Sequence, residues 1–126
     1  MIAQDIKGGC YCGVVRYQVT MQPVSSALCH CADCRKICGA PAVAWISVPP
    51  QHYRLLAGQP RSFHSSAGVT RTFCAECGTQ LTYSNDQRPD EIDITTASLD
   101  DADAFPPSRD IFTEEKLSWV KTLETG

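Results

Sequence analysis

Eight cysteines at short, fixed intervals constrain this chain more than any other feature. Cys10 and Cys12 form a Cys-X-Cys pair, Cys29, Cys31 and Cys34 form Cys-X-Cys-X-X-Cys, and Cys74 and Cys77 form Cys-X-X-Cys. Cys38 stands just beyond the triple group. Cysteines this crowded make awkward disulfide partners for one another, because an S–S bridge tolerates a narrow range of Cα separation and dihedral angle. Reduced, the same spacings let thiolates converge on a tetrahedral ion. Metal is therefore the reading that the spacing favours.

The rest of the composition bounds the answer without naming a function. The chain has 126 residues and a net charge of −3, which fits one domain spanning residues 1–126 with a modest core that a metal would supplement. No run of Lys and Arg forms a nucleic-acid footprint. The apolar runs are a few residues long, too short for a membrane span. The N-terminal "MIAQDIKGGC" lacks the apolar stretch of a secretory signal, so the expected compartment is the cytoplasm.

Short strands punctuated by Gly and Pro dominate the pattern. "GVVRYQVT" sets Val15, Tyr17 and Val19 against Val14, Arg16 and Gln18, the alternation of a strand with one buried face. "APAVAWISVP" is mostly apolar and suits a central strand. "HYRLLAG" and "RSFHSS" read as two arms of a hairpin turned through Gly58 and Pro60. "VTRTFC" runs into the second cysteine pair, "QLTYS" leads away from it, and "EIDITTASL" alternates again around Ile92 and Ile94. "DDADAFPPSR" reads as a loop with room for one helical turn. "DIFTEEKLSWV" reads as a last strand with an apolar close through Leu117, Trp119 and Val120. The one helical turn of consequence is "DCRKIC". The sum is an all-β domain of short antiparallel strands, with metal clusters standing in for part of the core.

The cysteines sort into two sites. Cys10/Cys12 in "GGCYCG" and Cys74/Cys77 in "CAECG" are glycine-flanked knuckles far apart in sequence, and together they make the four thiolates of a structural zinc site. Structural zinc in small peptides contributes ~10–16 kcal/mol of apparent binding energy, more than so small a core leaves over. Four buried free thiols are the bland alternative, and the paired spacing argues against it. Cys29, Cys31 and Cys34 leave three readings open. Cys38 closes the site; or His30, His52 or His64 closes it; or the fourth position stays free for water or substrate, as a catalytic zinc requires. The flanks of Cys38 suit a small packing position. His30 lies between two ligands and points away from them, and His52 and His64 sit on strands where a surface histidine is commonplace.

In this order, "GGCYCGVVRY", "CHCADCRKICGAPAVAWISVP", "LLAG", "FHSSAGVTRTFCAECGTQLTY", "TTASLDD" and "PSRDIFTEEKLSWV" resemble the glutathione-dependent formaldehyde-activating enzyme (GFA) family, which includes centromere protein V. The resemblance covers nearly the whole chain. It implies a β-tent of folded antiparallel sheets and two zinc ions, a structural one at Cys10, Cys12, Cys74 and Cys77 and a catalytic one at Cys29, Cys31 and Cys34. It also implies a carbon–sulfur lyase that joins or parts a thiol such as glutathione and a small aldehyde such as formaldehyde, as S-hydroxymethylglutathione. In "SRDIF", Asp110 stands where relatives commonly have histidine.

Zinc with three Cys ligands is a weak Lewis acid for water, because thiolates donate strongly, and its vacancy suits a soft sulfur ligand. A thiol held there as thiolate adds to an aldehyde, or a hemithioacetal breaks down in reverse. Arg35 and Lys36 follow the site directly, either offsetting its charge and meeting a substrate carboxylate or forming a solvated basic turn. The rival of another class is a zinc-stabilised binding module without turnover, its second ion closed by Cys38 or a histidine. An iron–sulfur centre is a third option, and a colourless protein would dismiss it.

Overall fold

The computed structural model describes residues 5–123. Among these residues ten strands fall into two sheets. β1 (Ile6–Gly9), β2 (Arg16–Val19) and β5 (Tyr53–Ala57) form a three-stranded antiparallel sheet in the order β1-β2-β5. The second sheet has seven strands, β3 (Ser25–Cys29), β4 (Val43–Val48), β6 (Arg61–Ser66), β7 (Val69–Phe73), β8 (Gln80–Asn85), β9 (Ile92–Thr95) and β10 (Arg109–Ile111). Their order is β10-β3-β4-β9-β8-β7-β6. One helix of seven residues, α1 (Ala32–Cys38), stands between β3 and β4. The expected all-β architecture is what the chain adopts.

The alternation of β2 does what its pattern dictates: Val15, Tyr17 and Val19 are buried, whereas Val14 is 50% exposed. They meet Ile46, Val48, Leu81, Ile94 and Leu99 in the main core, with Cys10 and Cys74 at its edge. β4 is central, between β3 and β9, and mostly apolar on both faces, with Ser47 the exception. Side chains of a strand alternate between faces, so Ile46 and Val48 enter the main core while Val43 and Trp45 join Cys29 and Cys34 in a second, smaller cluster. That other face of the large sheet is where the candidate site lies.

Three expectations need correction. β5 and β6 are not arms of one hairpin: β5 pairs with β2, β6 pairs with β7, and the chain passes from one sheet to the other between them. The tight hairpin is β6–β7. The strand in "DIFTEEKLSWV" ends at Ile111; Phe112 turns left-handed at φ 57° and a 3₁₀ turn follows over Thr113–Glu115. In that tail Leu117 and Val120 are half-buried, but Trp119 is 71% exposed and does not join an apolar close. β10 also runs parallel to β3, so the large sheet is mixed. Two strands the pattern did not announce, β1 and β3, complete the sheets. The helical turn expected in "DDADAFPPSR" is present as a 3₁₀ turn over Ala102–Ala104.

Candidate metal centre and cleft

The fold brings the cysteines together in the two groups expected. The Sγ atoms of Cys10, Cys12, Cys74 and Cys77 lie within 4.8 Å of one another, and so do those of Cys29, Cys31 and Cys34. All eight cysteines are free thiols. Tetrahedral ligands at ~2.3 Å from zinc stand ~3.8 Å apart. The Cys10–Cys12, Cys12–Cys74 and Cys29–Cys34 sulfur pairs are separated by 3.6, 3.8 and 3.6 Å. Donor chemistry and spacing both fit such an ion.

In the four-cysteine group, each knuckle is closed by a glycine at φ 84°, Gly13 after Cys12 and Gly78 after Cys77, a conformation that a side chain disfavours. Gly13 N–H and Gly78 N–H donate to the carbonyls of Cys10 and Cys74 at 3.1 and 2.8 Å. Backbone N–H groups also point at sulfur: Val15 at Cys10 Sγ, 3.2 Å, and Cys77 at Cys74 Sγ, 3.5 Å. The Thr79 hydroxyl, 3.2 Å from Cys77 Sγ, leads the interactions that lower the Cys77 thiol to about 5. The group ties the β1–β2 turn to the β7–β8 turn.

In the three-cysteine group, Cys29 ends β3 and Cys31 caps α1. Cys31 Sγ accepts from Cys34 N–H at 3.3 Å, and the helix stops at Gly39 in a left-handed turn. One helical turn therefore places Cys31 and Cys34 on the same side as Cys29. A hydrogen bond from Cys29, helped by Cys31 and by Arg71 against the cost of burial, lowers the Cys34 thiol to about 6, while the Cys29 thiol is pushed up.

No fourth Cys, His, Asp or Glu ligand atom joins this cage among the described residues. Cys38 is packed beside Ala40 in the smaller apolar cluster, and burial pushes its thiol up to about 11. His52 Nδ1 meets the Thr20 hydroxyl at 2.9 Å, and His64 Nδ1 lies 3.1 Å from the Val69 carbonyl oxygen. His30 is fully buried, with Nε2 2.8 Å from Asp110 Oδ1. That contact holds the Asp110 carboxyl below its usual range. Asp110 is thus the partner of His30, and its other oxygen accepts from Leu123 N–H at 2.9 Å. Arg35 turns to the carbonyls of His30 and Glu115, both at 3.4 Å, and Lys36 is exposed; neither lines the cleft.

The cage opens into a cleft of about 610 Å³. Strand parity builds it. Ala27 and Cys29 of β3 face it beside Trp45 and Ser47 of β4, and Asp93 of β9, Tyr83 of β8 and Arg71 of β7 continue the same face. The register aligns Ala27 with Trp45, Ser47 with Asp93, Asp93 with Tyr83, and Tyr83 with Arg71. Trp45 and Tyr83 make an aromatic wall, ring centroids 6.1 Å apart. Ser47 donates to Asp93 at 2.6 Å, and Asp93 pairs with Arg88. The sequence reading missed Arg71, which is buried beside Cys34. The available signal was "VTRTF" itself, where an arginine takes the inward-facing position between Val69 and Phe73.

A mostly β domain with two thiol clusters able to hold metal ions, one of them at the edge of a cleft, defines a narrow class of protein. The chain belongs to the glutathione-dependent formaldehyde-activating enzyme family, whose pattern it matches over residues 5–115. It is 28% identical over 89 residues to an uncharacterized lyase of Schizosaccharomyces pombe, a match covering 68% of this chain and 63% of that protein, so it spans somewhat less than two thirds of that relative. Its fold is similar to the crystal structure of a Rhodobacter sphaeroides protein, with a TM-score of 0.66 at 20% identity over 82% of this chain and 98% of that one. No helix among the described residues is long and apolar enough to cross a membrane.

Proposed function

We propose that this protein is a zinc-dependent carbon–sulfur lyase, a single domain of residues 1–126 acting in the cytoplasm, which makes or breaks the adduct of a small thiol, glutathione or similar, with a small aldehyde such as formaldehyde. One observation supports this above the others: three sulfurs converge at the end of a cleft, and no fourth protein ligand atom lies near them among the described residues. A closed structural site carries four ligands; a catalytic one keeps a position open.

Cys29, Cys31 and Cys34 would hold the catalytic zinc, and Cys10, Cys12, Cys74 and Cys77 the structural one. Zinc so held supplies a soft electrophilic position that binds a substrate sulfur as thiolate. The chain's own residues do the rest. α1 and the end of β3 fix three sulfurs with no unfilled protein donor to compete with substrate. Trp45 and Tyr83 exclude water from one wall of the cleft and give an apolar surface to the substrate's carbon chain. Ser47, Asp93 and Arg88 offer polar groups further along the same face, within reach of a substrate's ammonium or carboxylate. In the forward direction the thiolate sulfur adds to the carbonyl carbon, the carbon–oxygen π pair moves to oxygen, and that oxygen takes a proton from water.

The test is direct. Purified zinc-loaded protein is incubated with formaldehyde and a panel of thiols that includes glutathione, and adduct formation and breakdown are followed. Acceleration with at least one thiol, abolished by Cys34→Ser, is the expected result. No acceleration with any thiol or aldehyde while both ions remain bound would refute the lyase reading and leave a binding module.

A further inference from the structure

This inference rests on the lyase reading and concerns Arg71, which is 3% exposed. A guanidinium stays protonated in proteins, and a buried cation without an anion is strongly unfavourable. Among the described residues no carboxylate lies within ion-pair distance of it. Its Nε donates to the Ser65 hydroxyl at 3.0 Å, its face lies 4.9 Å from the Tyr83 ring centroid, and Nη1 and Nη2 each stand 3.9 Å from Cys34 Sγ. Among the described residues it touches no carboxylate, and the acidic thiol beside it is that of Cys34.

The other cations near the cleft have their contacts away from the cage. Arg88 pairs with Glu91 and Asp93, Arg109 donates to Ser25, and Arg35 turns to backbone carbonyls. Three thiolates about a divalent ion sum to one net negative charge. A fourth, incoming thiolate would raise it to two in a half-buried site, which like-charge repulsion and desolvation oppose. We propose that Arg71 is the counter-cation of the three-cysteine cage and the positioning residue that lets an anionic sulfur join it. It acts through Cys34, and it biases the cleft toward thiolates over neutral ligands. The planar fork and the stacking on Tyr83 keep the charge fixed against the cage rather than free in solvent.

Cobalt(II) in place of zinc gives an absorption spectrum that reports its sulfur ligands, so binding is read without turnover. The full chain is loaded with cobalt and titrated with 2-mercaptoethanol as wild type, Arg71→Met and Arg71→Lys. The wild-type spectrum should change with thiol; Arg71→Met should need about tenfold more thiol for half the change, as for the loss of one fixed charge some ångströms away. Arg71→Lys, which keeps the charge, should recover most of that loss. Equal titrations for wild type and Met overturn the proposal. Equal impairment of Met and Lys also overturns it, because the effect is then packing on Tyr83. If Met releases cobalt from the cage, retention decides: cobalt kept by Lys and lost by Met and Arg71→Gln supports a charge role, and loss from all three overturns it. A wild-type spectrum indifferent to 2-mercaptoethanol and to glutathione alike sinks the lyase reading itself, an outcome separate from any difference among the variants.

Discussion

Cys12 offers a clean test of whether the four-cysteine group holds a metal or merely packs. Its side chain is exposed, whereas Cys74 across the cluster is 1% exposed. A substitution at an exposed position that does nothing but pack falls within about ±0.5 kcal/mol, so Cys12→Ser should then be silent. If the four sulfurs share an ion contributing ~10–16 kcal/mol, losing one ligand removes on the order of a quarter of that, ~3 kcal/mol or more. Unfolding entropy of ~2.1 cal/mol/K per residue gives ~0.26 kcal/mol/K for a chain of 126 residues. A loss of ~3 kcal/mol therefore lowers Tm by about 11 °C. The assay is thermal unfolding by circular dichroism, with and without a strong chelator, beside metal content. Chelator should lower the wild-type Tm by at least as much, and should have a smaller effect on Cys12→Ser. A variant Tm within about 2 °C of wild type, a shift that surface changes alone produce, would refute the metal reading of this cluster.

Cys38→Ser should leave two metal ions per chain, because Cys38 is not part of either sulfur cluster; a loss of one ion per chain would mean that the cage is closed and the vacancy is not real. Ile46 is fully buried in the main core, so Ile46→Ala should cost about 2–5 kcal/mol in denaturant unfolding with metal stoichiometry unchanged, and a cost under about 1 kcal/mol would contradict the two-faced reading of β4. Asp110 has its carboxyl held low by His30. Its stabilising contribution is therefore present above the ordinary carboxylate pKa of ~3.9 and lost as pH falls through the lowered native value. The stability gap between wild type and Asp110→Asn should narrow as pH drops below about 4, and a gap unchanged between pH ~7 and ~3 would refute that pairing.

What could be read in the sequence was what is local. Sulfurs two or three residues apart must lie near one another, so the triple group and each of the two knuckles follow from spacing, and the glycines after Cys12 and Cys77 supply the left-handed turns such knuckles need; that the two knuckles meet rests on the long-range pairing of the strands beside them. Burial along β2 follows from alternation and along β4 from its mostly apolar character. The corner between β5 and β6 was not legible. "LLAGQPRSF" carries turn chemistry that serves a hairpin or a crossover between sheets equally well. The choice is made by long-range partners, β2 for one strand and β7 for the other. β3 was invisible for a related reason: "SSALC" has little strand propensity, and its place is fixed by β4 on one side and β10 on the other.

The cleft shows why site residues are harder to read than ligands. A sheet buried on both faces has no polar side to give its strands a simple inside and outside. The large sheet uses one face for the main core and the other for the cage and cleft, so polar residues on the second face look like ordinary solvent-facing positions. Ser47 and Asp93 each occupy the alternate register to apolar core neighbours, Ile46 and Val48 for one and Ile92 and Ile94 for the other, whereas Arg71 stands between Thr70 and Thr72. Only the cross-strand register brings Ser47 opposite Asp93 and Arg71 opposite Tyr83. Arg71 is the informative case, since its own strand places it in line with Val69 and Phe73. An arginine in such a position needs either an anion or an exit to water. Being 3% exposed, it has no exit, and the Cys34 sulfur beside it links the β7 strand to the cysteine cage through charge rather than through packing alone.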